Sequence, residues 1–214
     1  MVARVDAQVD PPRPGVFAKR VGHAPEQLPD RQVAVLGHQG SGVQPRHVQR
    51  AIQLKVELHR VNVRAAGVVA GLKSTGARDL ALVVNDGPTF DSASVFTSNR
   101  CKANPVLWSQ EVVKDGVVKA VVLNSGGANC YTGPEGFQTT HAVAEQVAAR
   151  VGIGAIDVVV CSTGLIGLAN DRQSLLDGVD AAAEQLAGDG GPAAAEAIMT
   201  TDSVSKQVVV EGAG

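Results

Sequence analysis

The distribution of apolar positions divides the chain into two unlike parts. Up to about Asn62 no period of two or 3.6 is sustained, and Pro11, Pro12, Pro14, Pro25, Pro29 and Pro45 interrupt the sequence. From Val63 onward, short apolar runs alternate with longer amphipathic stretches. Asp79–Asn85 is a strand candidate ending in the turn signal Asn85-Asp86-Gly87-Pro88. Ser92–Thr97 alternates in polarity and is expected to pair with it. Val117–Asn124 reads as a buried strand that opens into the loop Ser125-Gly126-Gly127-Ala128-Asn129. A helix is expected over Phe137–Arg150, with Phe137, Ala144, Val147, Ala148 and Val151 on one face and Gly152 as its stop. Ala155–Cys161 is the next strand. The following helix takes Asn170 or Asp171 as its cap, carries the stripe Leu175, Leu176, Val179, Ala183 and Leu186, and ends at Gly188. An alanine-rich helix, Pro192–Met199, and a strand, Gln207–Glu211, complete the pattern. Strands and helices intermix, so the expected class is α/β or α+β.

Composition sharpens that division. Residues 1–64 hold ten Lys/Arg against five acids, and the remainder holds nine against sixteen. We therefore expect two regions, a basic segment 1–62 and a folded part 63–214. The basic segment admits three readings: a nucleic-acid-binding arm, disorder, or sequence foreign to the native protein, such as an upstream or out-of-frame translation. Phe17 is its one aromatic for base stacking and it shows no Cys/His zinc spacing, which argues against nucleic acid. The expectation is a disordered or non-native segment. Aromatic residues make up 3% of the chain against 44% hydrophobic, so the core must be built from Val, Ala and Leu. Three widely spaced cysteines, Cys101, Cys130 and Cys161, fit reduced thiols better than a disulfide framework. No apolar run approaches a membrane span and no signal-peptide core is visible. A soluble, cytoplasmic protein is the expectation.

Candidate chemistry gathers at two corners. The run Val158-Val159-Val160-Cys161 ends in Ser162-Thr163-Gly164. A strand that stops this way brings backbone N–H groups and the Thr163 hydroxyl to a sheet edge, and Gly164 permits close approach. Such fixed donors suit an oxyanion-stabilising corner. Thr200-Thr201-Asp202, at a helix C-terminus, could hydrogen-bond a small polar ligand or simply form a capping turn. The Asn124–Asn129 loop matches no phosphate-binding signature, although a nucleotide- or anion-binding α/β module using it is an alternative of a different class. A Cys161–His141 thiol–imidazole dyad is weighed against a buried small hydrophobe and a packed histidine on the inner helix face, which are the commoner outcomes. No complete nucleophilic set emerges from these residues. The two corners read as half of an active site.

Seven short segments, in order, carry a resemblance. They are Ala65-Ala66-Gly67-Val68-Val69-Ala70-Gly71-Leu72-Lys73, Asp79–Asn85, Val95-Phe96-Thr97-Ser98-Asn99, Ala103-Asn104-Pro105-Val106, Leu123–Asn129, Cys161–Gly167 and Ala197-Ile198-Met199-Thr200-Thr201-Asp202. From about Arg64 to Val210 the chain resembles the N-terminal, α-chain portion of the ornithine acetyltransferases, the bifunctional glutamate N-acetyltransferases of arginine biosynthesis. The resemblance implies an α/β/β/α sandwich made as one precursor and self-cleaved before a threonine. That threonine, the nucleophile at the head of a β chain, would take the acetyl group of N2-acetylornithine and pass it to glutamate. Thr163 and Gly164 would supply the oxyanion hole by hydroxyl and backbone N–H, and Thr200 would contact substrate. No cofactor or metal is implied, with acetyl-CoA left open as a co-substrate. The implied partner is the β chain, in a heterotetramer, with no nucleic acid and no membrane. The family's Lys-Gly-x-Gly-Met segment and Ala-Thr cleavage site are not found before Gly214, so the sandwich is expected to be incomplete and this piece inactive alone. Leu168-Ala169-Asn170-Asp171 replaces the family's usual Leu-Pro-Met-Asp-like helix entry. A self-processing aminopeptidase of similar fold is the other enzymatic alternative, against which Met199-Thr200-Thr201-Asp202 argues.

Overall fold

The computed structural model describes residues 31–36, 58–59 and 62–212, with side chains over 62–208. The described strands are β1 (Arg31–Leu36), β2 (Leu58–His59), β3 (Val63–Val68), β4 (Leu80–Asn85), β5 (Ala120–Gly127), β6 (Val158–Leu165) and β7 (Gln207–Gly212). The helices are α1 (Asn104–Val112), α2 (Gly133–Val151), α3 (Arg172–Glu184) and α4 (Gly191–Ala197). A three-stranded sheet has the order β2-β1-β7, and a four-stranded sheet the order β3-β4-β5-β6. The expected mixed α/β class is what the chain adopts. Apart from β1 and β2, the reading of residues 1–62 lies outside the described residues. Among the described residues no helix is long and apolar enough to cross a membrane.

The four-stranded sheet is apolar on both faces, which is why β4, β5 and β6 read as near-continuous hydrophobic runs. Leu80, Leu82, Val84, Ala120, Val122, Val158 and Val160 face α2 and α3, meeting Val143, Ala144, Val147, Leu175 and Val179. The alternate residues Ala81, Val121, Leu123, Val159 and Cys161 face α4, meeting Ala194, Ala197 and Ile198. The core is therefore Val, Ala and Leu, as the composition requires. Among the described residues Trp108 alone brings a large ring to these two layers, and its indole N–H donates to the Val158 carbonyl at 2.9 Å. Ser109 both donates to the Val160 carbonyl (2.8 Å) and accepts from the Val160 N–H (3.1 Å). Through these bonds α1 seals the outer edge of β6, which would otherwise present open backbone groups.

Several elements differ from the sequence pattern, each for an identifiable reason. Ser92–Thr97 is not a strand, because both edges of β4 are taken, by β3 on one side and β5 on the other. In that region only Asp91 forms a bridge, to Val117. β3 and α1 were not anticipated. β5 does not open into a glycine loop at Asn124; it continues to Gly127, because Ser125, Gly126 and Gly127 pair in parallel with Thr163, Gly164 and Leu165. For the same reason β6 runs through the Ser162-Thr163-Gly164 corner to Leu165 instead of stopping before it. Helix α2 starts at Gly133, earlier than expected, and Phe137 is exposed rather than inward. Gly152, at φ +80°, ends it as expected. Asp171 caps α3 by accepting from the Ser174 N–H at 2.7 Å. Asn170 instead donates to the Gly127 carbonyl, and α3 ends at Glu184, short of Gly188.

Candidate functional site: the glycine-paired strands and the end of α4

Thr163 lies on the β6 face that carries Val159 and Cys161, the face turned towards α4. Its residue is 7% exposed, and its hydroxyl keeps contact with solvent. It borders a narrow cleft lined by Leu123, Asn124, Cys161, Ser162 and Ile198. No other described residue hydrogen-bonds the Thr163 hydroxyl. The proton of this hydroxyl therefore has no acceptor among the described residues, and the crevice beside it leaves no room for a water-sized molecule in this structure.

Gly164 follows at φ +124°, a region closed to ordinary side chains. A Cβ there would stand 2.3 Å from the Gly126 carbonyl oxygen and 2.4 Å from its carbon. The two glycine backbones press together across the β5–β6 pairing. Gly126 in turn packs against the loop 70–73, where an added Cβ would lie 3.0 Å from the Leu72 oxygen. Gly164→Ala is expected to destabilise the fold by about 2–6 kcal/mol, from strain plus backbone overlap. Chemical denaturation compared with Gly167→Ala, where no atom lies within 4 Å of the added Cβ, separates the overlap from the positive-φ cost.

Behind this stack stands a group the sequence reading did not single out. Asp79, fully buried, accepts from the N–H groups of Ala70 (2.6 Å), Leu72 (2.6 Å) and Lys73 (2.9 Å). Its carbonyl also accepts from the Ser125 N–H at 2.8 Å. One carboxylate thereby fixes the loop that backs Gly126. A signal was present: an acid heads a run of apolar residues directly after a glycine-containing loop, a place where a carboxylate collects orphan N–H groups.

Thr163 and the end of α4 are joined through Ser125. Ser125 is the register partner of Thr163, and its hydroxyl donates to the Ala197 carbonyl at 2.5 Å. Ala197 is the last residue of α4, so this bond anchors the segment Ile198-Met199-Thr200 against β5. Ile198 lines the Thr163 cleft, whereas Thr200 is exposed and lines a separate, wider groove of about 840 Å³. Lys73, Arg78, Glu196 and Asp202 also border that groove. The structure thus places Thr163 and Gly164 together and puts Thr200 on the other side of the α4 terminus. The Thr200 N–H points at the Asp202 carboxylate (3.5 Å), which pairs with Lys206. Arg78 pairs with Glu196 at 3.2 Å. Burial holds the Lys73 ammonium below the usual lysine range, partly offset by Asp79.

The remaining candidates have internal tasks. Asn124 donates to the Gly127 carbonyl (3.2 Å) and accepts from the Ser162 hydroxyl (2.6 Å). Asn129 donates to the Gly136 carbonyl and the Thr140 hydroxyl at 2.8 and 2.9 Å. Its oxygen accepts from Asn104 and Thr132. These amides hold strand to helix, and neither is presented to a phosphate. Cys161 is buried against Ala194 and Ile198, and burial pushes its thiol up. His141, expected on the inner face of α2, is instead exposed, against Trp108 at 4.9 Å between ring centroids and 3.6 Å from the Glu145 carboxylate. It sits beyond the opposite sheet face, so the dyad does not form. Among the described residues no cluster of His, Cys, Asp and Glu could hold a metal ion.

The sequence profile of the ArgJ family matches residues 64–213. The chain belongs to the ArgJ family. It is 62% identical over 146 residues to the arginine biosynthesis bifunctional protein ArgJ of Streptomyces coelicolor, covering 68% of this chain and 38% of that protein. To the ArgJ of Mycobacterium tuberculosis it is 55% identical over 154 residues, 69% of this chain and 38% of that protein. It thus spans about two-fifths of the length of these ArgJ relatives. Among solved structures it resembles ornithine acetyltransferase of M. tuberculosis, crystallised with ornithine. The TM-score is 0.67 and the identity 49%, covering 72% of this chain and 88% of the crystallised one. An ArgJ structure from Bacillus halodurans matches with TM-score 0.62 and 30% identity, covering 72% and 85%. The ArgJ match begins at Arg64, where the sequence changes character.

Proposed function

We propose that this chain forms the oxyanion-stabilising and part of the substrate-contacting surface of an N-acetyltransferase of arginine biosynthesis, moving acetyl from N2-acetyl-L-ornithine to L-glutamate. The observation that carries the reading is the Thr163 hydroxyl, unpartnered among the described residues and next to the glycine-stacked Gly164. In the reaction a threonine from the rest of an ArgJ polypeptide attacks the acetyl carbonyl. Thr163 Oγ–H and Gly164 N–H donate to the carbonyl oxygen as it gains charge, and ornithine leaves with the proton. The glutamate amine then attacks the acetyl-threonine under the same pair of donors and regenerates the threonine. Acetyl-CoA would enter as an alternative donor to the same acetyl-enzyme.

The coverage figures support assembly from two chains of one precursor. The crystallised M. tuberculosis chain is 88% covered by this segment, whereas the whole ArgJ protein from that organism is 38% covered. The solved chain is therefore a fraction of the polypeptide, in keeping with an α chain cut from a β chain in a heterotetramer. Thr200, exposed in its groove, is assigned to the substrate. In a full-length ArgJ carrying this segment, Thr200→Ala should raise KM for acetylornithine about tenfold, the loss of one hydrogen bond of about 1.4 kcal/mol. An unchanged KM removes Thr200 from the substrate site. Calorimetric titration of the full-length protein with acetylornithine, glutamate and ATP tests the competing nucleotide-module reading, since only that reading requires ATP to bind.

A further inference from the structure

Two of the three thiols belong to one surface cluster. Cys101 is exposed and Cys130 buried, on segments far apart in sequence. Cys130 packs with Ala103, Val106 and Phe96, and the Asn104 N–H donates to the Asn129 carbonyl at 3.1 Å. These contacts hold the Cys101 and Cys130 segments side by side. Tyr131, next to Cys130, is exposed, and the neighbouring Cys101 thiol holds its phenol above the usual tyrosine range. Asn129 and Tyr131 both adopt left-handed backbone, at φ 50° and 60°, so Cys130 sits between two strained residues. Asp91–Arg100 is free of helix and contains a single bridge, at Asp91, and the Cys101 N–H donates to the Asn99 side-chain oxygen at 3.0 Å.

We propose that Cys101 and Cys130 are a covalent modification site, which a hydroperoxide converts to an intramolecular disulfide. Cys101, the accessible thiol, attacks first. Its sulfur takes one peroxide oxygen, the O–O bond breaks, and the thiol proton leaves with the other oxygen as water (as an alcohol from an organic hydroperoxide). Cys130 then attacks the Cys101 sulfenic acid. The S–S bond forms, the S–O bond breaks, and hydroxide leaves as water with the Cys130 proton. Two thiols are oxidised and one peroxide is reduced. The order follows from exposure, and burial, with the charge of Cys101, also pushes the Cys130 thiol up. Cys161, buried within the sheet, stays reduced. The cross-link ties the irregular segment after β4 to the turn between β5 and α2, where the Gly167 N–H donates to the Cys130 carbonyl at 2.9 Å.

The test treats the folded chain with hydrogen peroxide, counts free thiols after denaturation, and maps the products by mass spectrometry. The expected result is a fall from three thiols to one, in a monomer, with Cys101 joined to Cys130. A fall to two, with Cys101 linked to Cys101 of another chain or oxidised alone, overturns the proposal. Cys101→Ser should leave Cys130 unmodified, because the entry thiol is gone. Oxidation of Cys130 in that variant at the parental rate would also overturn it. Cys130→Ser should leave a sulfenic acid on Cys101 that a dimedone probe traps, and absence of the trapped adduct counts against the order of attack.

Discussion

Thr163→Val in full-length ArgJ carrying this segment is expected to lower kcat by about 10²–10³-fold, with KM for acetylornithine changing little. The magnitude is that of losing one fixed donor from an oxyanion hole, about 3–4 kcal/mol of transition-state stabilisation. The isosteric methyl keeps the shape of the cleft beside Cys161 and Ile198. It orphans no partner, because no other described residue hydrogen-bonds the Thr163 hydroxyl. Stability should therefore hold within about 1 kcal/mol, by the general rule that deleting an unpaired polar group strands nothing. Thr163→Ser restores the hydroxyl and should recover most of the rate. Self-cleavage also passes through a tetrahedral oxyanion, so if the same corner serves it, the precursor should persist in the Val variant. Steady-state kinetics with a gel assay for processing checks all three.

The second large effect is on the fold. Asp79→Ala removes the acceptor for three backbone N–H groups at once. At about 1–3 kcal/mol for each buried donor left unmet, partly relieved by entering water, the expected loss is about 3–5 kcal/mol. In a protein of this size that lowers Tm by about 10 °C. Asp79→Asn should lose much of the same amount, because the new amide turns N–H donors towards N–H donors. A variant that only needed the right volume would be rescued by Asn, so the pair of thermal melts distinguishes hydrogen bonding from packing. Activity should fall with either change, since the loop 70–73 backs Gly126, and Gly126 backs Gly164. Asp79 acts on the site through its supports, as a positioning residue.

These two residues show how far sequence was a guide and where it stopped. Thr163 and Gly164 stood out as a hydroxyl and a glycine after a valine run, and the structure places the two against β5. Their setting was not legible. A strand edge was expected, whereas the corner lies inside a parallel pairing, and parallel partners leave no local mark in sequence. Asp79 was visible directly before β4, but its three donors come from a loop whose return path is a tertiary fact. The same limit explains β3 and Ser92–Thr97. Both are short and weakly patterned, and only competition for the edge of β4 decides between them. Helices α2, α3 and α4 were recovered because amphipathic spacing and capping are local. Helix α1 was missed because it is nine residues long and spends Trp108 and Ser109 on the edge of β6.

The groove and the cleft stand on two sides of the α4 terminus, so the site needs something to span them. In the proposed reaction that is the substrate, with its acetyl oxygen at Thr163 and Gly164 and a polar end at Thr200. Ser125 sets the spacing by anchoring Ala197. The most direct measurement is rapid-quench mass spectrometry of the acetyl-enzyme in full-length protein mixed with N2-acetylornithine. The account predicts that parental protein acetylates on one threonine within a turnover, whereas Thr163→Val does so about 10²–10³-fold more slowly at saturating substrate. Equal rates of acetyl-enzyme formation in the two proteins would contradict it.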